Sequence, residues 1–135
     1  NLIGSVLLYR AEMKLGISER FQKGIVLSEI TLDKIDEEER LNIQNDIKQA
    51  YEWLNLAIKQ VNPIINAYYN YSKACIYDSL FLGGGSQKMS EADKYLNTVE
   101  IIWNMNDSQK PKGYLYTRRN YWEANKEYDK ALEIN

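Results

Sequence analysis

Only two prolines, Pro63 and Pro111, and one glycine cluster, Gly83-Gly84-Gly85, interrupt this chain. Between these marks apolar residues recur at helical spacing, and no convincing strand alternation is present. The pattern predicts an all-α chain of about seven helices. Segment one, Leu2 to Leu15, places Leu2, Val6, Tyr9 and Met13 on one stripe, and Gly16 follows it as a helix terminator. Segment two opens with Ser18 as N-cap and Glu19 in the first turn, with Phe21, Ile25, Leu27, Ile30 and Leu32 as its apolar set. Segment three follows Asp36 and runs to Val61 on a stripe of Leu41, Ile47, Ala50, Leu54, Ala57, Ile58 and Val61. Glu37, Glu38 and Glu39 suit its positive end, and Pro63 closes it. Segment four, Ile64 to Leu82, is rich in tyrosine and ends at the glycines. Segment five starts at Ser90, with Asp93 three residues on, and carries Ala92, Leu96, Val99 and Trp103. After a polar turn, segment six starts near Pro111, and segment seven spans Trp122 to Ile134.

The composition narrows the class. At 135 residues there is room for one ordinary core, and a chain near that length buries about 70% of its unfolded surface. A single cysteine, Cys75, excludes an internal disulfide framework. The absence of histidine removes His-dependent triads and most metal sites. No apolar run reaches the roughly 18 residues of a membrane span. A formal charge of -2 gives no general attraction to nucleic acid or anionic lipid.

The chain also repeats a small-large-small pattern: Ala50, Leu54, Ala57, then Ala124, Tyr128, Ala131, with a weaker copy in Ala92, Leu96, Val99. With Gly113-x2-Tyr116 ahead of Ala124-x3-Tyr128, this resembles the tetratricopeptide repeat family, whose unit is a helix pair of about 34 residues. Tyr68-x2-Tyr71-Ser72 resembles the first helix of another unit, its following loop enlarged by Gly83 to Gln87. The resemblance covers roughly residues 46 to 135, and the N-terminal hairpin, 1–32, is atypical. It implies a single domain, 1–135, built as an α-α superhelix, since one hairpin cannot bury its apolar face and pairs must stack. The small residues let paired helices approach, and the large ones fill the space to the next pair.

In that family the concave face is lined mainly by the first helix of each pair. The resemblance therefore assigns to it Asn66, Tyr69, Lys73 and Ile76 from segment four, and Lys110, Tyr114, Thr117 and Arg118 from segment six. Asn, Tyr, Lys and Arg there suit an extended peptide: amides for its backbone, tyrosines for its side chains, cations for a carboxylate.

Other constellations carry less. Lys110 to Trp122 interleaves cations with aromatics, as a nucleic-acid surface does, but the aromatics fall at helical spacing and read as core. The glycine run lacks the strand before it and the Gly-Lys-Ser/Thr after it that a phosphate loop requires. The acids at Asp33 and 36–39 lack the spacing of a calcium loop and read as a solvated helix start. Cys75 has no histidine to activate it.

The expectation is a non-catalytic protein-interaction scaffold without cofactor, binding a protein or peptide partner, neither membrane-bound nor nucleic-acid-binding. A self-assembling repeat module is the alternative, through open repeat ends that leave an apolar face for a further segment or a second copy. The free cysteine and the lack of a leader pattern point to the cytoplasm, with a processed periplasmic or secreted form as the alternative.

Overall fold

The computed structural model of the chain describes residues 1–106 and 113–133, and of residues 105 and 106 the backbone only. Among the described residues the regular structure is entirely helical: α1 (Leu2–Leu15), α2 (Glu37–Ile58), α3 (Ile65–Phe81), α4 (Gly85–Asn106), α5 (Tyr114–Ala124) and the single turn α6 (Tyr128–Leu132). Two short 3-10 turns, Glu19–Phe21 and Leu27–Glu29, lie in the strap between α1 and α2. No helix among the described residues is long and apolar enough to cross a membrane.

The first three helix ends follow local chemistry. Gly16 takes a left-handed conformation at φ 67 and returns its N–H to the last carbonyls of α1. Asp36 caps α2, its carboxylate accepting from the Glu39 amide at 2.9 Å. The helix ends at Ile58, ahead of Pro63, so Val61 lies in the connection rather than on the helical stripe, and it is 91% exposed.

Three further boundaries differ from the sequence expectation. Segment two is not a helix. Its two 3-10 turns are separated at Gly24, which has φ 68, and the Arg20 side chain ties down the Ile25 carbonyl at 3.0 Å. Next, α4 begins at Gly85, not at Ser90, because the connection needs only 82–84. The Leu82 and Gly84 amides both return to the Asp78 carbonyl, and the Ser79 hydroxyl donates to Gly85 O. Finally, segment seven divides. Lys126 sits at φ 61 between α5 and α6, so Ala124 closes the first helix while Tyr128 and Ala131 belong to the next turn. Pro111 lies outside the described residues.

Each long helix packs chiefly against its neighbour in sequence: α1 on α2, α2 on α3, α3 on α4. One contiguous core joins them, from Leu8, Ala11 and Ile43 through Ala50, Leu54, Ala74 and Cys75 to Ala92, Leu96 and Val99. In α1 the buried face is Gly4, Leu8, Ala11 and Leu15, whereas Leu2, Val6, Tyr9 and Met13 face outward. The smaller residues win the inner face because α1 crosses α2 closely. A Cβ on Gly4 would lie 2.5 Å from the Leu54 Cγ, inside van der Waals contact. The segment-four tyrosines form a seam across three helices. Tyr71 meets Tyr51 of α2 at 5.3 Å and Tyr95 of α4 edge-on at 5.0 Å, and Tyr68 stacks on Tyr95.

This crossing makes a prediction. Gly4→Ala should gain about 1 kcal/mol of helix propensity but lose about 1–3 kcal/mol to overpacking, a net destabilisation. In a Leu54→Ala background the same substitution should become neutral or stabilising. Urea titrations of the four-variant cycle measure this coupling, and additive effects would refute the close crossing.

Candidate functional site

A cleft with a mixed polar and aromatic lining lies between the C-terminal half of α1, the middle of α3 and the start of α5, with a volume of about 390 Å³. Tyr9, Glu12 and Met13 come from α1, Ser18 and Glu19 from the strap, Tyr69 and Lys73 from α3, and Tyr116, Thr117 and Asn120 from α5. Each wall has a local cause. The outward stripe of α1 supplies Tyr9 and Met13. The capped turn at Gly16 swings the strap across the end of α1. Gly113, at φ 81, starts α5 against the Tyr69 hydroxyl, where a Cβ would come to 2.9 Å. Any residue with a side chain there would be strained at this φ and would displace the Tyr69 hydroxyl.

The base of the cleft is a hydrogen-bonded lattice. The Thr117 hydroxyl and the Tyr69 hydroxyl lie 3.0 Å apart. The Lys73 ammonium donates to Glu12 at 3.1 Å and sits 5.6 Å from the centre of the Tyr69 ring. The buried Tyr77 hydroxyl donates to the same carboxylate at 2.6 Å. Glu12 therefore ties α1 to α3 through two donors.

Behind the floor, α5 is pinned to the strap by a buried ion pair. Arg20 donates to Glu123 at 2.7 Å, and both side chains are 2% exposed. Glu123 also accepts from the Leu27 amide at 2.8 Å and from Arg119 at 3.0 Å. Arg20 reaches the Asn120 side-chain oxygen and the Ile25 carbonyl as well. Its Nε is the buried side-chain polar atom among the described residues that has no hydrogen-bond partner.

Of the residues assigned to a binding face by sequence, Tyr69, Lys73 and Thr117 meet in this cleft. Asn66 is exposed on α3 but does not line it. Ile76 and Tyr114 are not surface groups: each is 1% exposed, Ile76 inside the core and Tyr114 with its hydroxyl 3.4 Å from the Leu96 carbonyl. Arg118 turns away from the cleft and braces α5 on α4. It donates to Asp93 at 2.8 Å and to Asn97 at 2.7 Å, over the rings of Tyr121 and Trp122. Lys110 lies outside the described residues. Sequence reasoning missed Tyr9, Glu12, Arg20, Asn120 and Glu123. No periodic signal marked Glu123, because its neighbours on the same helix face, Arg119 and Asn120, are themselves polar.

Asp36, Glu39 and Cys75 hold structural positions. Asp36 is the α2 cap, and Glu39 pairs with Lys14 at 3.7 Å. No group of three or more metal-ligating side chains occurs among the described residues. Cys75 is buried, and burial pushes its thiol up to about 12. A second apolar notch of about 470 Å³ lies at the far end of α2, lined by Trp53, Leu56, Pro63, Ile64 and Ala67 among others. No family model, curated protein or solved structure matches this chain.

The buried hydroxyls and the thiol create an alkaline limit on stability. Burial raises Tyr77 well above its ordinary value of 10.0, helped by the Glu12 charge, and raises Tyr71 and Tyr114 too. Cys75 moves in the same direction from 9.0. Above these ordinary values the unfolded chain releases protons that the folded chain retains. Stability is thus full below about pH 9 and declines as pH rises further. The urea midpoint should fall between pH 8.5 and 10.5, and Tyr77→Phe should flatten that fall. An unchanged midpoint would contradict the burial of these groups.

Proposed function

We propose that the chain is a non-catalytic scaffold of the tetratricopeptide-like type, requiring no cofactor, that holds a protein or peptide partner in the cleft between α1, α3 and α5. The observation that carries the reading is a concave site with two exposed tyrosines, Tyr9 and Tyr116, on opposite sides of a fixed polar floor. Aromatic side chains with one apolar face and one polar tip are enriched where proteins bind proteins. Sequential packing of helix pairs supports the repeat architecture, as does the burial of Ala50, Leu54, Ala92 and Leu96 at helix crossings. The C-terminal unit departs from the family pattern, because Ala124 and Tyr128 fall on different helices.

Affinity capture from a lysate of the source tests this. The wild type and a Trp53→Ala control should retain a common partner, and a Tyr9→Ala, Tyr116→Ala variant should retain about tenfold less with native helicity intact. Equal capture by the double variant would remove the cleft as the site. A wild type that captures nothing would overturn the scaffold.

A second reading, self-association, is favoured by the apolar end of the array, where Leu2, Trp53, Leu56, Val61 and Ile64 are all exposed. It predicts a mass by light scattering that grows with concentration and returns to monomer with Leu56→Glu. A constant monomer mass for the wild type at high concentration would reject it.

A further inference from the structure

Of the three cations that sequence offered to a partner carboxylate, Lys73 and Arg118 are already committed within the fold, and Lys110 lies outside the described residues. Lys73 is held by Glu12 at 3.0 Å, and Arg118 by Asp93 and Asn97 on another face. Freeing Lys73 for an incoming acid would leave a partly buried Glu12 without its counter-charge. What the cleft presents to a ligand is the opposite chemistry. Glu19 is exposed at its mouth and, among the described residues, takes part in none of the ion pairs that occupy Glu12, Asp93 and Glu123. Tyr9 and Tyr116 add two exposed rings whose negative faces attract cations, and the Tyr69 ring already carries the Lys73 ammonium.

We infer that this cleft receives a cationic side chain, the guanidinium or ammonium of an arginine or lysine in the partner, between the tyrosine walls and against Glu19. The inference rests on the scaffold reading above and gives it a charge class. The volume, near the low end of the roughly 300–1,000 Å³ of ligand sites, suits one side chain with its flanking backbone rather than a folded element. Arg20 and Arg119 share the single carboxylate of Glu123 behind the floor, a local surplus of positive charge. Neither lines the cleft, and both are engaged by Glu123 and by the ring of Phe21. Lys110 and Lys112, outside the described residues, precede Gly113 in sequence. An acidic probe therefore belongs in the test as the competing outcome.

The intact ¹⁵N-labelled chain would be titrated with N-acetyl-arginine methylamide and, at matched ionic strength, N-acetyl-aspartate methylamide. The arginine compound should shift the backbone amides of Ser18, Gly113 and Thr117 saturably. Glu19→Gln should weaken it about two- to fivefold, as loss of an exposed charge contact does. The assignment is overturned if the aspartate compound shifts those amides as strongly, if the arginine compound leaves them in place, or if Glu19→Gln changes nothing. Should the arginine compound fail while partner capture still depends on Tyr9 and Tyr116, the charge assignment falls and the scaffold stands. Should capture also ignore those tyrosines, both fall.

Discussion

The geometry of the cleft depends on one buried ion pair, Arg20 with Glu123. The strap between α1 and α2 has only two short 3-10 turns, too little regular structure to hold its own shape. Its position is set instead by what Glu123 accepts: a guanidinium from the strap, a strap amide and a guanidinium from its own helix. A buried pair of this kind recovers its desolvation cost only when its remaining hydrogen-bonding capacity is filled. Glu123 meets that condition and Arg20 nearly does. Removing one member of such a pair typically costs about 3–5 kcal/mol, because the other is left charged in a dry site. The interaction holds α5 against the N-terminal part of the chain, and so holds one wall of the cleft at its distance from the other.

A second constraint acts on the opposite side of the floor. Glu12 joins α1 to α3 through Lys73 and Tyr77, and Thr117 joins α5 to α3 through Tyr69. The three helices meet through side chains whose polar ends are satisfied by one another. The polar floor is therefore fixed, while the exposed groups lie above it on the rims. That division suits a recognition surface: little side-chain freedom is lost below, and adaptable contact is left above.

Local signals in the sequence were legible wherever a single residue type dictated a backbone state. Gly16 after α1 and Asp36 before α2 mark their boundaries directly, and the tyrosine-rich segment is α3. The faces were harder. Apolar residues occupy two stripes of α1, and periodicity cannot say which turns inward; the choice falls to Gly4, whose missing side chain lets α1 approach Leu54. The C-terminal pattern failed at Lys126, a residue with no intrinsic preference for positive φ, so nothing local announced the break. In the cleft, Tyr69, Lys73 and Thr117 are assigned through the resemblance to a repeat family, but their partners are not. Glu12 lies 61 residues from Lys73 in sequence, and Arg20 lies 103 from Glu123. Pairings over such distances leave no periodic trace. They also changed the chemistry of the site, because an isolated lysine reads as a receptor for acid and a neutralised one does not.

The sequence separation of the Arg20–Glu123 pair has a consequence for the order of folding. Most of the packing joins neighbouring helices, contacts that close short loops and form fast. The strap-to-α5 contacts instead span about a hundred residues, and their loop-closure entropy is met only after the intervening helices have docked. The cleft is thus assembled after the array that supports it.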